Sequence, residues 1–355
     1  MKPYGCIAPG QNAQYVGMGS DLYNSSNEVI RAKTRKLFRT ASEILGYDLT
    51  DVCFNGPMER LSQTIYTQPA LATHSTICFE VLKVLYEERT GTEFDFAVSA
   101  GASLGEYPAL MMAGVMGFKD MLGLVQKRAE AMDKVIKTPG YDAGKQVCLN
   151  IDARSIDEIC AKFGVEQSNC NYGEQTVVGG TREAIQQMME YLEEKIPLPG
   201  KRRMCVIPMN TEAAFHTSLM SSARRAFAPF ISTYRFNPPN RYVLSNCTGN
   251  FYAEDGSDMV INLIHQIDNP VRWIYEMRVM VTKLLEVAKG GTIRIFEFGG
   301  GKPNISDPTN QRSNFGGITT RILKGMEIKP EQVELHECIS EETINSTLDV
   351  LVPRV

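Results

Sequence analysis

The stretch Gly101-Ala102-Ser103-Leu104-Gly105-Glu106 carries the pattern Gly-x-Ser-x-Gly between two different textures. Residues 94–99 before it are short, apolar and end abruptly, and residues 108–114 after it read as helix. Strand, Gly-x-Ser-x-Gly and helix, in that order, is the setting of a nucleophile elbow, which lifts a serine hydroxyl clear of a sheet. Glycines flank such a serine because strand and helix approach too closely there for a Cβ. The turn also leaves the Leu104 N–H at a helix N-terminus, where it can stabilise an oxyanion. Nucleophilic catalysis by Ser103 is the chemistry this spacing predicts.

A serine nucleophile needs a base, and the chain offers four histidines: His74, His216, His265 and His336. His74 and His265 fall in helix-like segments and read as packing or surface residues, while His336 lies in a charged tail and reads as solvated. His216, between a strand end and a helix start, leads by elimination. The competing reading is a structural histidine satisfied by backbone. Arg128 lies within an amphipathic stretch, residues 118–135, two positions before Glu130, and by pattern alone reads as a solvated surface residue.

The elements that would position these groups follow from patterning. Residues 6–8 read as a first strand running into the polar turn Pro9-Gly10-Gln11-Asn12-Ala13-Gln14, with helix up to about Leu45. A helix is expected to open at Thr67-Gln68-Pro69-Ala70, with proline in its first turn, and to be buried on more than one face. Residues 147–151, 169–171, 175–180 and 204–209 read as strands and 155–163 and 182–195 as helices, the order of a split βαβ unit. Residues 294–298 read as a buried strand ending in Gly299-Gly300-Gly301, residues 306–317 as a surface loop, and the tail from Glu327 as a charged appendage.

Composition sets outer bounds. At 355 residues the chain can hold a large domain with an insert, and 43% hydrophobic with 22% charged residues is ordinary for a globular protein. A net charge of −4 argues against nucleic acid as the main partner. The nine cysteines are scattered and never form Cys-x-x-Cys, which reads as reduced, mostly buried thiols and neither a disulfide frame nor a metal site. With no apolar signal core and no apolar run of membrane-spanning length, a cytoplasmic protein without a membrane partner is expected.

Several ordered blocks resemble the malonyl-CoA:acyl carrier protein transacylase family, the acyltransferases of fatty-acid and polyketide synthesis. Pro9-Gly10-Gln11-Asn12-Ala13-Gln14 resembles its Pro-Gly-Gln-Gly-x-Gln, and Thr67-Gln68-Pro69-Ala70 its Thr-Gln-Pro-Ala. Gly101-Ala102-Ser103-Leu104-Gly105-Glu106 resembles Gly-His-Ser-Leu-Gly-Glu, and Phe215-His216-Thr217-Ser218-Leu219-Met220 resembles Phe-His-Ser-x-Leu-Met. Asn269-Pro270-Val271-Arg272-Trp273 and Gly299-Gly300-Gly301-Lys302 are similar to later blocks, so the resemblance runs from about Ile7 to Lys324.

The resemblance implies an α/β fold, with an α/β-hydrolase-like large subdomain (1–144 and 210–326), a ferredoxin-like small subdomain inserted at 145–209, and a C-terminal extension at 327–355. It implies ping-pong transfer, in which Ser103, deprotonated by His216, takes an acyl group from acyl-CoA, malonyl-CoA first among candidates. The group then passes to the phosphopantetheine thiol of an acyl carrier protein, with no permanently bound cofactor. Gln11 would join Leu104 at the oxyanion hole. Gln266 would hold His216 through its backbone carbonyl, fixing the tautomer without a second buried charge. Arg128 would hold the free carboxylate of malonyl as a bidentate fork. Phe215 is the residue associated with malonyl over methylmalonyl, a discrimination of about 1–3 kcal/mol for one methyl.

Three positions depart from the family pattern. Ala102 stands where histidine is usual, which enlarges and dries the pocket and leaves the extender unit open. Asn12 replaces a glycine and Gly300 a proline, both expected to alter loops only. Lys201-Arg202-Arg203 and Arg224-Arg225 could meet an acidic carrier protein or be solvated surface charge. The rival readings are an acyl hydrolase on the same scaffold, which Arg128 counts against, and an inactive carrier-docking homologue, which Ser103 and His216 count against.

Overall fold

A computed structural model describes residues 1–195, 205–303 and 311–353. In chain order its strands are β1 (Tyr4–Ala8), β2 (Val98–Gly101), β3 (Lys145–Leu149), β4 (Glu166–Tyr172), β5 (Gln175–Gly180) and β6 (Val206–Pro208). They continue with β7 (Tyr242–Val243), β8 (Ile293–Phe298), β9 (Lys302–Pro303), β10 (Gln311–Arg312) and β11 (Val333–Cys338).

Short runs of small and β-branched residues, buried on both faces, suit a parallel sheet. β1 and β2 are buried at every position. They sit inside a sheet of order β11-β8-β1-β2-β7, in which every pair is parallel. Helices cover it, among them Thr64–Thr90, Phe118–Ile136 and Trp273–Ala288. A second sheet, of order β4-β5-β3-β6, is antiparallel throughout. Helices Ala153–Phe163 and Arg182–Lys195 bury Ile156, Ile159, Ile185, Met188 and Leu192 in one cluster with Val147, Leu149 and Val178 of this sheet. Mixed α/β architecture with a parallel sheet and a separate antiparallel sheet is the fold class expected from the sequence.

The sheets are tied together next to the elbow. Cys170 N–H donates to Val271 O and Val271 N–H to Ser168 O, each at 2.9 Å. β4 is therefore fixed to the segment that leads into Trp273.

Four expectations need correction. Residues 94–97 are not strand: Phe94 and Phe96 turn into an aromatic cluster with Phe79 and Phe296, and β2 starts only at Val98. The helix expected at Thr67 begins at Thr64, whose N–H is taken by the Glu212 carboxylate, so Pro69 lies inside it. The tail is no appendage: β11 pairs along β8 from Val333 to Cys338, and helix Glu341–Leu351 packs Ile344 and Leu348 into the core. His336 on β11 is accordingly half-buried, with its ring stacked on Phe296 at 5.0 Å between centroids. Finally, the segment read as a surface loop holds β10, the buried Phe315 and a helix from Gly316. The cause is a pair of carboxylates on neighbouring strands. Glu297 accepts the N–H groups of Asn314 (2.6 Å) and Phe315 (2.9 Å), and Glu337 accepts that of Ser313 (2.9 Å). Residues 306–310 of that segment and Lys201-Arg202-Arg203 lie outside the described residues.

Candidate active site

β2 ends at Gly101, Ala102 is still extended, and a single tight turn from Ser103 leads into helix Glu106–Met112. A Cβ on Gly101 would stand 1.9 Å from Gly105 O, and one on Gly105 would stand 2.2 Å from Ala8 O. No L side chain fits at either place, which is why the motif needs both glycines. Ser103 itself has φ 54°, left-handed for a residue with a Cβ, and His216 is strained in the same way at φ 60°. Side chains hold the strained serine at both backbone groups. Its N–H donates to Asn246 Oδ1 (2.6 Å), and its carbonyl accepts from Gln266 Nε2 (2.7 Å).

The structure brings Ser103 and His216 together, with Oγ 2.7 Å from Nε2. His216 Nδ1 is 2.7 Å from the backbone carbonyl of Gln266. A carbonyl only accepts, so Nδ1 carries the proton and Nε2 presents a lone pair to the serine hydroxyl. Burial, reinforced by the Arg128 charge and opposed by the backbone bonds at Gln266 and Asn269, lowers His216 to about 3. The imidazole is therefore neutral and able to accept a proton. His216 is positioned from the small sheet as well, since Gln146 on β3 donates to Phe215 O at 2.9 Å.

Arg128 is not a surface residue. It is 0% exposed. Its Nη1 donates to Gln68 Oε1 (2.8 Å), and its Nη2 to Ser103 Oγ (3.0 Å) and Gln266 Oε1 (2.9 Å). Among the described residues its Nε has no partner, and no carboxylate bonds the guanidinium. Such a group, aimed at the nucleophile, is suited to receive an anionic substituent of an acyl chain.

Gln11 and Asn12 follow β1 and border the same cavity as Ser103, His216, Phe215 and Ala102. Gln11 is held by Gln68, whose Nε2 donates to its Oε1 at 3.1 Å, and Asn12 has φ 76°, a conformation asparagine tolerates. Leu104 is fully buried directly after the serine. Arg224 is committed to Asp268 at 3.2 Å and faces His265, whereas Arg225 is exposed. His74 is buried in the core, where its Nδ1 accepts from Gly300 N–H at 2.9 Å. Among the described residues there is no His, Cys, Asp or Glu group that could hold a metal ion.

Sequence reasoning missed a buried polar layer beneath the elbow. Asn246 joins Ser103 N–H, Gly101 O (2.7 Å) and both carboxyl oxygens of Glu276 (3.1 Å each). Glu106 accepts from Asn246 N–H (3.2 Å), Tyr252 and the Gln266 amide. Burial raises Glu106 to about 7, against hydrogen bonds and Arg128, and holds Glu276 well above the usual carboxylate range. Glu276 had a signal: it shares one helix face with Trp273, Met277 and Met280, an acid among apolar residues. Gln68 and Glu106 lay inside recognised blocks, but nothing in the pattern gave them a task. Part of the cavity wall was also missed, where Trp273 stacks on Phe315 with centroids 4.4 Å apart.

Comparison with known proteins follows the same lines. Residues 6–250 match the acyl transferase domain family. The chain is 33% identical over 291 residues to the polyketide biosynthesis protein ThaF of Burkholderia thailandensis, covering 80% of this chain but only 23% of that relative's length. It is 31% identical over 327 residues to the malonyl CoA-acyl carrier protein transacylase of Haemophilus influenzae, covering 91% of this chain and 93% of the other. The crystal structure of an acyl carrier protein S-malonyltransferase from Vibrio cholerae superposes with a TM-score of 0.77 at 28% identity, over 98% of this chain and all (100%) of that one.

Proposed function

The chain belongs to the acyl transferase domain family, and on that footing we propose that it transfers malonyl from CoA to the phosphopantetheine thiol of an acyl carrier protein. The observation that carries the reading is the placement of one buried guanidinium, Arg128, 3.0 Å from the same Ser103 Oγ that lies 2.7 Å from His216 Nε2. Polyketide assembly is one setting, since the similar protein of Burkholderia thailandensis is named for polyketide biosynthesis.

In the first half-reaction His216 Nε2 takes the Ser103 proton as Oγ attacks the thioester carbonyl. The oxyanion forms next to the backbone N–H of Leu104, with Gln11 on its other side. Collapse expels the CoA thiolate, which takes the proton back from the imidazolium. The free carboxylate of the malonyl-serine meets Arg128, whose Nη2 loses Oγ as a partner once that oxygen is esterified and whose Nε is unengaged. In the second half-reaction the carrier thiol gives its proton to His216 and attacks the ester, restoring Ser103. Exposed Arg225 offers one cationic contact for an acidic carrier.

Acid-quenched protein, digested after brief exposure to malonyl-CoA, tests this. The expected adduct is on the peptide containing Ser103 and is absent in Ser103→Ala. An adduct elsewhere, or one surviving that substitution, would overturn the assignment.

A further inference from the structure

Arg128 is wholly buried and, among the described residues, bonds only to neutral groups, so its orientation and counter-charge must be supplied indirectly. Among the described residues the only acid one bond removed from it is Glu106, through the Gln266 side chain. Gln266 Oε1 accepts from Arg128 Nη2 at 2.9 Å, and Gln266 Nε2 donates to Ser103 O at 2.7 Å and to Glu106 Oε2.

An amide side chain can be placed either way round, and here its neighbours decide. Guanidinium only donates, and a carbonyl and a carboxylate only accept. All three neighbours demand the same orientation. Ser103 O is a neutral acceptor and the weaker selector. The Glu106 carboxylate, held on its other oxygen by Tyr252 and Asn246 N–H, is the strong one. Turned over, Gln266 would point N–H groups at the guanidinium and leave Nη2 without an acceptor.

We infer that Glu106 is a positioning residue for Arg128, acting through the Gln266 amide, and that it thereby sets the preference for acyl groups bearing a carboxylate. This rests on the malonyl reading above. The role suits the position: Glu106 follows the Gly-x-Ser-x-Gly turn directly, so one short segment supplies the nucleophile and the group that orients the residue recognising its cargo. Burial holds Glu106 near 7, so above that pH it is an acceptor only. The titratable side chains around it are Tyr107, Arg128, Cys247, Tyr252 and Glu276.

The test compares two reactions of Ser103. Acylation by malonyl-CoA needs Arg128, whereas labelling by an uncharged fluorophosphonate needs only the serine, its base and the oxyanion hole. Both rates are measured for the wild type, Glu106→Gln, Gln266→Ala and the double variant. In Glu106→Gln, kcat/KM for malonyl acylation is expected to fall at least tenfold more than labelling, mainly through KM. In the double variant malonyl acylation should fall no further than about twofold below the weaker single, because both changes cut one relay. Equal falls in the two reactions of Glu106→Gln, or losses that multiply in the double variant, would overturn the inference. If Glu106→Gln does not fold, Gln266→Ala, which keeps the carboxylate, is judged by the same tenfold criterion. A wild type that takes the fluorophosphonate but no malonyl would instead defeat the malonyl reading.

Discussion

Arg128 Nη2 and Gln266 Oε1 lie 2.9 Å apart, and the backbone carbonyl of the same Gln266 lies 2.7 Å from His216 Nδ1. One residue therefore connects the base of the reaction to the group that would recognise the cargo. The rest of the site is arranged about it: Ser103 is bonded to all three of these residues.

Replacing Arg128 should separate cargo recognition from serine chemistry. Arg128→Ala is expected to lower kcat/KM for malonyl-CoA by about 100-fold or more, the cost of leaving a desolvated carboxylate without its partner. Acetyl-CoA should become the better substrate of the variant, because its acyl group has no carboxylate to strand. Competition between the two thioesters, read by intact mass, measures this. Unchanged preference would exclude Arg128 as the clamp.

Asn246 holds the elbow closed. Asn246→Ala leaves Ser103 N–H and Gly101 O without their side-chain partner, a cost of about 1–3 kcal/mol for each unsatisfied group. Asn246→Asp keeps the acceptor for Ser103 but sets a carboxylate against Glu276, at the 3.1 Å now spanned by the amide. Thermal unfolding should therefore rank wild type above Asn246→Ala and Asn246→Ala above Asn246→Asp. An aspartate variant as stable as the wild type would remove Asn246 from this role.

Glu106 gives a stability prediction with a definite sign. Its folded value of about 7 lies above the 4.5 of an ordinary glutamate. Between those values the native state holds a proton that the unfolded state has lost, so stability falls as pH rises through the window. Glu106→Gln removes that dependence. The unfolding free energy of the variant relative to wild type should improve by roughly 3 kcal/mol between pH 4.5 and pH 8. His216, lowered to about 3, works the other way below pH 6.5, but it is present in both proteins and cancels from the difference. A difference that stays flat with pH would mean that Glu106 is not held protonated by burial.

The carboxylate pair at Glu297 and Glu337 should report through the single tryptophan of the chain. Glu297→Ala strips the acceptor from Asn314 and Phe315 N–H and frees the segment that presses Phe315 onto Trp273. Tryptophan emission is expected to shift to the red and become more accessible to iodide. An unchanged spectrum would show that Phe315 is held by packing alone.

What the sequence made legible was the part with a local signature. Gly-x-Ser-x-Gly specifies its own turn, because two glycines must admit backbone at 1.9 Å and 2.2 Å from where a Cβ would be. The strands and helices of the small sheet are short and separated by clear changes of pattern, and their expected positions agree with the structure within a few residues. Elimination among four histidines led to His216, 113 positions from Ser103, whereas Gln266, 163 positions away, needed the family resemblance. Arg128 shows the limit of periodicity. Its helix buries Leu124, Val125, Ala129 and Met132 around it, yet a neighbouring glutamate made it look solvated. Asn246 and Glu276 carry no motif and acquire meaning only when β7, the elbow and the Trp273–Ala288 helix converge. β11 hid for a different reason. Its sequence, Val333-Glu334-Leu335-His336-Glu337-Cys338, mixes two glutamates and a histidine with apolar residues and leaves Leu335 exposed, and that reads as a charged tail.

The central claim, that one acyl group visits Ser103 between two thiols, is tested most directly in separated half-reactions. Protein loaded with malonyl-CoA is freed of CoA by rapid desalting and then mixed with a phosphopantetheinylated acyl carrier protein, both proteins being followed by intact mass. Ping-pong transfer predicts that malonyl leaves the enzyme and appears on the carrier, at a rate well above its loss to water, with no CoA present. A malonyl-enzyme that loses its group to water equally fast with and without carrier, leaving the carrier unmodified, would contradict it and make the protein a hydrolase.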